Sequence, residues 1–214
     1  MTGPRAVIFL AVACLFLAVA WLPFGSPVPS TRADEGLRRT LVLGPDGRPA
    51  RQVLLTEVTR TEDGTSLFDG QATGDVRELT DGILETTVPR EGVAQVLWGP
   101  GWGATILPRG DTTVVGVRLV AACPLQGRLR LARGVPAVGL EVRASRSGEA
   151  LVHVARTDET GRWRLDHLAG GRWVVHVRRA DGREQPLGLF AAGEAVCESV
   201  VPAGGSVRGQ VLDG

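Results

Sequence analysis

The sequence predicts an all-β protein that contains two successive antiparallel β-sandwiches. A pattern of Gly, Asp and alternating apolar residues occurs twice, about eighty residues apart, a spacing that is typical of tandem small β-domains. After residue 39 the apolar residues alternate in short runs and show no helical period of useful length. Gly, Pro and Asp bound these runs, as expected for short strands that are joined by tight turns.

The chain begins with an apolar segment, residues 6–22, that follows Arg5. It predicts an N-terminal hydrophobic helix that targets the chain for export and takes no part in the fold. Two interpretations of residues 1–22 stay open. One is a signal peptide that is cleaved after the small residues 18–20, and the other is an uncleaved signal anchor with Trp21 at the membrane interface. The anchor is favoured, because the apolar stretch continues past the cleavage site.

The remaining residues divide into four segments. Residues 23–39 are rich in Pro and in charge and predict a linker. Residues 40–120 predict a first, divergent sandwich, and residues 121–204 predict a second, more regular one. Residues 205–214 resemble the first strand of an incomplete third repeat. We expect this strand to be frayed or to be added to the edge of the second sandwich.

Seven strands are predicted in each sandwich from apolar alternation and turn residues. In the first they are 41–43, 53–58, 71–76, 83–88, 93–98, 104–107 and 113–120. In the second they are 127–131, 140–144, 152–156, 162–165, 173–179, 187–190 and 194–201. The polar, Gly-rich stretch 59–70 predicts a long connecting loop, and Asp158-Glu159-Thr160-Gly161 predicts a tight hairpin turn.

The repeated motif resembles the carboxypeptidase regulatory-like domain, a relative of transthyretin-like and collagen-adhesin B-type sandwiches. In the second copy it runs through Gly127-Arg128-Leu129, Gly134-Val135-Pro136, Thr157-Asp158-Glu159-Thr160-Gly161-Arg162-Trp163-Arg164-Leu165 and Gly171-Arg172-Trp173-Val174-Val175-His176-Val177. The match is close over residues 125–201 and moderate over 40–120. The resemblance implies tandem seven-stranded, prealbumin-like Greek-key sandwiches, which databases place with carbohydrate-binding-like folds. It is weak for function, because such modules occur beside many activities.

Composition and motifs exclude several kinds of chemistry. The net charge of +1 gives no reason to expect a nucleic-acid partner. The three histidines, His153, His167 and His176, lack the carboxylate spacing of a zinc peptidase, so we expect no metal, no cofactor and no enzyme activity. Strand alternation places His176 on the solvent side, away from Trp173. Some relatives carry a Lys–Asn isopeptide bond, which this chain cannot form because it contains neither residue.

Two pairs of residues are candidates for a site. Trp98 and Trp102 lie in a Gly- and Pro-rich turn and predict either a surface on which a ligand stacks or a pair of core residues. Cys123 and Cys197 flank the second sandwich and predict either a disulfide, which exported proteins tolerate, or two buried thiols.

These observations predict a membrane-anchored, extracytoplasmic β-sandwich that acts as a spacer or binding module, or a secreted one if residues 1–22 are cleaved. Its partner is an unknown protein or polysaccharide, and its contact with the membrane is made by the N-terminal segment. A carbohydrate-binding module is one alternative. The accessory N-terminal part of a longer enzyme or surface protein is another.

Overall fold

A computed structural model describes residues 37–70, 74–109, 115–194 and 197–202, all within one compact unit, Gly36–Gly214. The predicted N-terminal helix and the predicted strand within 205–214 lie outside these residues. In the described part of the chain, no helix is long and apolar enough to span a membrane. The described chain is all-β apart from a 3-10 turn at Ala132–Gly134.

The described chain contains fifteen strands, of which fourteen overlap predicted ones. The first half of the chain contains β1 Leu37–Leu43, β2 Gln52–Thr59, β3 Ser66–Asp69, β4 Asp75–Glu78, β5 Ile83–Thr87, β6 Val93–Gly99, β7 Trp102–Ile106 and β8 Val115–Arg118. The second half contains β9 Leu125–Leu131, β10 Glu141–Ser145, β11 Leu151–Arg156, β12 Arg162–Leu165, β13 Arg172–Arg178, β14 Glu184–Ala191 and β15 Cys197–Val201.

Each half is a β-sandwich made of two sheets. In the first half the sheet orders are β5-β1-β8 and β4-β2-β6-β7; in the second they are β12-β9-β15 and β14-β13-β10-β11-β3. Once β3 is set aside, the two halves correspond strand for strand in these orders. The same order of turns and alternating residues therefore leads to the same pairing in both halves.

Separate apolar cores lie between the sheets of each half, because alternate residues of facing strands point inward. The core of the first half includes Val42, Val53, Leu55, Leu84, Leu97, Val117 and Leu119. The core of the second half includes Leu125, Leu129, Val142, Trp163, Leu165, Trp173, Val175 and Val177. A third buried cluster, Phe68, Val96, Trp98 and Leu151, combines residues of both halves.

The turn at residues 158–161 forms as the sequence predicts, but it does not join paired strands. The side chain of Asp158 accepts hydrogen bonds from the amides of Thr160 and Arg162 at 2.8 and 2.9 Å. Gly161 has a φ of +77°, and a Cβ atom there would lie 2.3 Å from the carbonyl oxygen of Leu129. Because β11 and β12 belong to different sheets, the turn carries the chain from one sheet to the other instead of closing a hairpin.

Three expectations about strands are wrong. The sheets are not purely antiparallel, because β1 pairs with β8, β9 with β15 and β3 with β11 in parallel. Alternation identifies strands but not their neighbours, which are set by long-range packing. The predicted linker ends earlier than residue 39, since β1 begins at Leu37. The predicted loop 59–70 contains β3.

Candidate functional site

The two halves are joined by β3, which leaves the first half and extends a sheet of the second. It pairs in parallel with β11, from Ser66 opposite Leu151 to Asp69 opposite Val154. The amide of Ser66 donates to the carbonyl oxygen of Ala150 at 2.7 Å. Phe68 is completely buried in this position. A strand of the first half therefore extends a sheet of the second and buries Phe68 between the two halves.

The loop before β3 is fixed by a carboxylate. Asp63 accepts hydrogen bonds from the hydroxyl groups of Thr61 and Thr65 and from the Thr65 amide. These bonds, that from the Thr61 hydroxyl above all, lower the pKa of Asp63 to about 2, because they stabilise the ionised form. The loop thus presents β3 to β11 in a defined conformation.

Aromatic rings from both halves meet around Phe68, in an arrangement that we call the junction. Its rings belong to Phe68, Trp98, His153, His167 and Trp173. Phe68 lies 5.7 Å from both Trp98 and His153, measured between ring centroids. Trp98 lies 4.7 Å from His167, and His153 lies 5.2 Å from Trp173. All of these contacts are edge-to-face, the geometry that the ring quadrupoles favour.

Hydrogen bonds between His167 and β7 also hold the junction together. The Nδ1 atom of His167 lies 3.1 Å from the carbonyl oxygen of Trp102, so Nδ1 carries the proton and donates. The amide of Ala104 donates to the carbonyl oxygen of His167 at 2.8 Å. A Cβ atom on Gly70 would lie 2.9 Å from the His167 ring, so the end of β3 approaches this histidine closely.

His153 is held neutral inside the junction. It is 3% exposed, and burial lowers its pKa to about 3, with smaller contributions from the charges of His167 and Arg146. A charged imidazole would lose its hydration there without gaining an anionic partner. His153 therefore functions as an aromatic packing residue at neutral pH.

A half-open groove of about 950 Å³ lies beside the junction. It separates β3 and β11, at the edge of the five-stranded sheet, from β12, at the edge of the three-stranded sheet. His153, His167 and Trp163 are among the residues that line it. Trp163 is buried, and its Nε1 has no hydrogen-bond partner among the described residues.

The charges that line the groove balance one another. Its lining contains four arginines and four carboxylates, namely Arg128, Arg156, Arg162, Arg164, Asp69, Asp158, Asp166 and Glu198. Arg164 donates to Asp166 at 2.5 Å, and Arg128 donates to the carbonyl oxygen of Thr160 at 3.1 Å. The groove therefore offers many hydrogen-bonding groups without a net charge.

The predicted tryptophan surface is not formed as an exposed pair. Trp98 is 9% exposed, and its Nε1 donates to the hydroxyl oxygen of Thr56 at 2.9 Å. Trp102 is half-buried and packs against the core of the first half. Stacking on a ligand requires an accessible ring face, which Trp98 lacks because Phe68 and His167 cover it.

The other predicted site residues lie apart from the junction. Cys123 is half-buried, and no disulfide partner for it is found among the described side chains. The side chain of Cys197 lies outside them, so the disulfide stays a prediction. His176 is half-buried on β13. Within the described ranges, no group of three or more His, Cys, Asp or Glu side chains is placed to hold a metal ion.

Comparison with known proteins gives similarity to solved structures only. No family model matches the chain, and no curated protein matches it. A streptococcal ancillary pilin is 14% identical, with 79% of this chain and 62% of the pilin covered and a TM-score of 0.29. This chain thus spans less than two thirds of that pilin.

Two further pilins match along their whole length. The shaft pilin SpaA from Lactobacillus rhamnosus GG is 12% identical, with 80% of this chain and 100% of the pilin covered and a TM-score of 0.34. The minor pilin GBS52 from Streptococcus agalactiae is 11% identical, with coverages of 81% and 100% and a TM-score of 0.31. Values this low assign no family, and the β-sandwich architecture rests on the strand pairing and cores of the chain itself.

Proposed function

We propose that this chain is a non-catalytic, extracytoplasmic β-sandwich module that acts as a spacer and presents a binding groove. The observation that carries the proposal is the donation of β3 by the first half to the second. A spacer must keep its two ends at a fixed distance. Strand pairing and a shared aromatic cluster resist hinge motion between the halves better than a flexible linker does.

The finer assignment is that both halves are regulatory-like domains with seven-stranded Greek-key topology. The strand-for-strand correspondence of the sheet orders supports it, as does the repeated motif. The environment of two histidines supports a non-catalytic role. His153 is neutral and packed among aromatic rings, and His167 donates a hydrogen bond to the backbone. We propose an unknown protein or polysaccharide as partner, and the groove beside the junction as the surface that it contacts.

The spacer role is testable by measuring distances across the junction. Spin labels are introduced through an unnatural amino acid at Glu85 and Arg178, exposed residues in the two halves. Double electron–electron resonance should give one narrow distance distribution in the parent chain. The change Phe68→Ala should broaden it, because it removes the ring that both halves share.

Phe190→Ala is the matched control. Phe190 is partly buried against the core of the second half alone, so its loss should leave the distance distribution narrow. A broad distribution in the parent chain, or equal broadening by both changes, would contradict the proposed spacer.

Tethering by residues 1–22 is a separate part of the proposal, supported by the apolar segment in the sequence. Native cells are fractionated and immunoblotted with an antibody raised to residues 125–201. A membrane-bound band supports the tether, and a band in the soluble extracytoplasmic fraction supports cleavage instead. A band far above 22.6 kDa would identify the chain as the N-terminal part of a longer protein.

A further inference from the structure

A buried arginine lies inside the first sandwich, away from the junction. Residues of β1 alternate between exposed and buried positions, and Arg38, Thr40 and Val42 are on the buried side. Arg38 is 1% exposed. Arginine is almost never buried to this extent without a partner, so this position requires a physical explanation.

The polar atoms around Arg38 have unused hydrogen-bonding capacity. Among the described residues, no partner is found for Nε and Nη2 of Arg38, for Oγ1 of Thr40 and Thr86, or for Oε1 of Gln95. Thr86 lies directly opposite Arg38 in the pairing of β1 with β5. We call Arg38, Thr40, Thr86 and Gln95 the Arg38 cluster.

Gln95, on the other sheet of the first half, also belongs to this cluster. It lies on β6, and its Nε2 donates to the carbonyl oxygen of Thr87 on β5 at 3.2 Å and to Oε1 of Glu57 at 3.3 Å. Both partners are acceptors, so the orientation of the amide is fixed and Oε1 is the atom left over. The side chain therefore spans the two sheets beside Thr86.

This cluster holds a buried cation without an anionic acceptor. Nε and Nη2 of Arg38 carry three N–H groups, and neither these groups nor the hydroxyl groups of Thr40 and Thr86 have a partner among the described residues. The guanidinium also brings a full positive charge, because arginine stays protonated in proteins, although burial lowers the pKa of Arg38. An uncompensated buried charge is strongly destabilising, and an apolar side chain of similar volume would avoid that cost.

The neighbouring charges do not compensate Arg38. Arg39, the next residue, is exposed and its Nε donates to Glu85 at 2.9 Å. Glu57 contacts the cluster through Gln95, but it is exposed and its bond is to the Gln95 amide, not to Arg38. A small anion bound beside Arg38 would compensate its positive charge. It would also accept hydrogen bonds from the unpaired N–H and hydroxyl groups.

We propose that the Arg38 cluster binds a small anion, held by the guanidinium of Arg38 and the hydroxyl groups of Thr40 and Thr86. A halide or a small carboxylate such as formate has the required chemistry, since it accepts several hydrogen bonds and carries one negative charge. The anion then stabilises the first sandwich by binding the folded chain and not the unfolded one.

The test uses the full chain in a non-ionic detergent. The melting temperature is followed by tryptophan fluorescence from 0 to about 100 mM chloride or formate, with the bulky anion of sodium MES holding the ionic strength constant. The parent chain should show a saturable increase of about 3–6 °C. Chloride-35 NMR should show line broadening that the protein causes and that formate reverses.

Three variants make the test specific. Arg38→Met should abolish the increase in melting temperature and the line broadening, without lowering stability in anion-free buffer. Arg39→Met, at the exposed neighbour, should keep both effects. Thr86→Val, which preserves shape and removes one hydroxyl group, should weaken anion binding by about tenfold, as loss of one hydrogen bond to a charged group predicts.

Two outcomes would overturn the proposal. One is a parent chain whose melting temperature and chloride-35 line width do not respond to either anion. The other is a response that Arg38→Met retains in full. If Glu57→Gln destabilises the chain while the parent ignores both anions, Glu57 is the counter-charge and the anion site does not exist.

Discussion

His153 is a titratable residue that packs as an aromatic ring in the junction. Its ring contacts Phe68 and Trp173 edge-to-face. Because its pKa is about 3 in the folded chain and 6.5 ordinarily, the unfolded chain binds a proton between these values that the folded chain does not. The contribution of His153 to the free energy of unfolding is therefore complete above pH 6.5. It decreases as the pH falls toward 3.

We expect His153→Phe to flatten this pH dependence. Between pH 6.5 and 4.5 the parent should lose about 2–3 kcal/mol in the free energy of unfolding, as measured by urea unfolding, and the variant should lose less. His176→Gln, at a half-buried histidine of β13, serves as control. It should keep the parental dependence of the free energy of unfolding on pH. A parental slope in the His153→Phe chain would contradict the prediction; Asp63, with a pKa of about 2, does not titrate in this range.

Gly161 gives a second prediction at the scale of one residue. Gly161→Ala should destabilise the chain by about 2–4 kcal/mol, because the new Cβ would meet the Leu129 carbonyl oxygen at 2.3 Å and the φ of +77° disfavours alanine. Gly182 has a φ of +79° with no atom within 4 Å, so Gly182→Ala should cost only about 1 kcal/mol. Urea unfolding measures both, and equal costs would show that the contact with Leu129 relaxes.

Strand alternation predicts which face a residue occupies but not what covers that face. Trp98 lies on the side of its sheet away from the core of the first half, where alternation allows a surface residue. The structure buries it there because Phe68 and His167 cover it. No signal in the residues next to His153 and His167 indicates that these rings pack against rings from distant parts of the chain.

At the scale of elements, β3 is the strand that the sequence pattern does not predict. Its four residues, Ser-Leu-Phe-Asp, lie in a polar stretch, and a run this short has too few alternating positions to stand out. Its partner β11 is more than eighty residues away. The other fourteen strands overlap predicted ones, since most of them have apolar alternation between clear turn residues.

The contact of β6 with the junction gives a prediction about Trp98. Trp98→Ala should reduce the free energy of unfolding by about 3–5 kcal/mol, because it removes a buried ring and leaves the hydroxyl group of Thr56 without its donor. Trp102→Ala, at the half-buried neighbour, should cost less. Urea unfolding provides the measurement. A stable Trp98→Ala chain that loses glycan binding would instead support a carbohydrate-binding surface.

At the scale of the described chain, the two cores are separate but their edges are shared. Phe68 lies between Trp98 of the first half and His153 of the second. Neither half can release β3 without exposing this ring and the edge of β11 to water. The halves are therefore coupled in stability although each has its own sheets.

We expect the two halves to unfold in one cooperative transition. Differential scanning calorimetry of the parent should show a single peak whose calorimetric and van't Hoff enthalpies agree. Phe68→Ala should separate it into two, because the coupling is lost while both cores remain. Two resolved peaks in the parent would show that the junction is too weak to couple them.

The donation of β3 also restricts how such a chain can be recombined. A crossover between residues 70 and 121 would place a new second half against the β3 of the old first half. If the side chains of the two do not match, Phe68 packs poorly and the edge of β11 is left open to pairing with another copy. Exchange of residues 66–69 together with the second half keeps the matched pair, so the unit of exchange is larger than either sandwich.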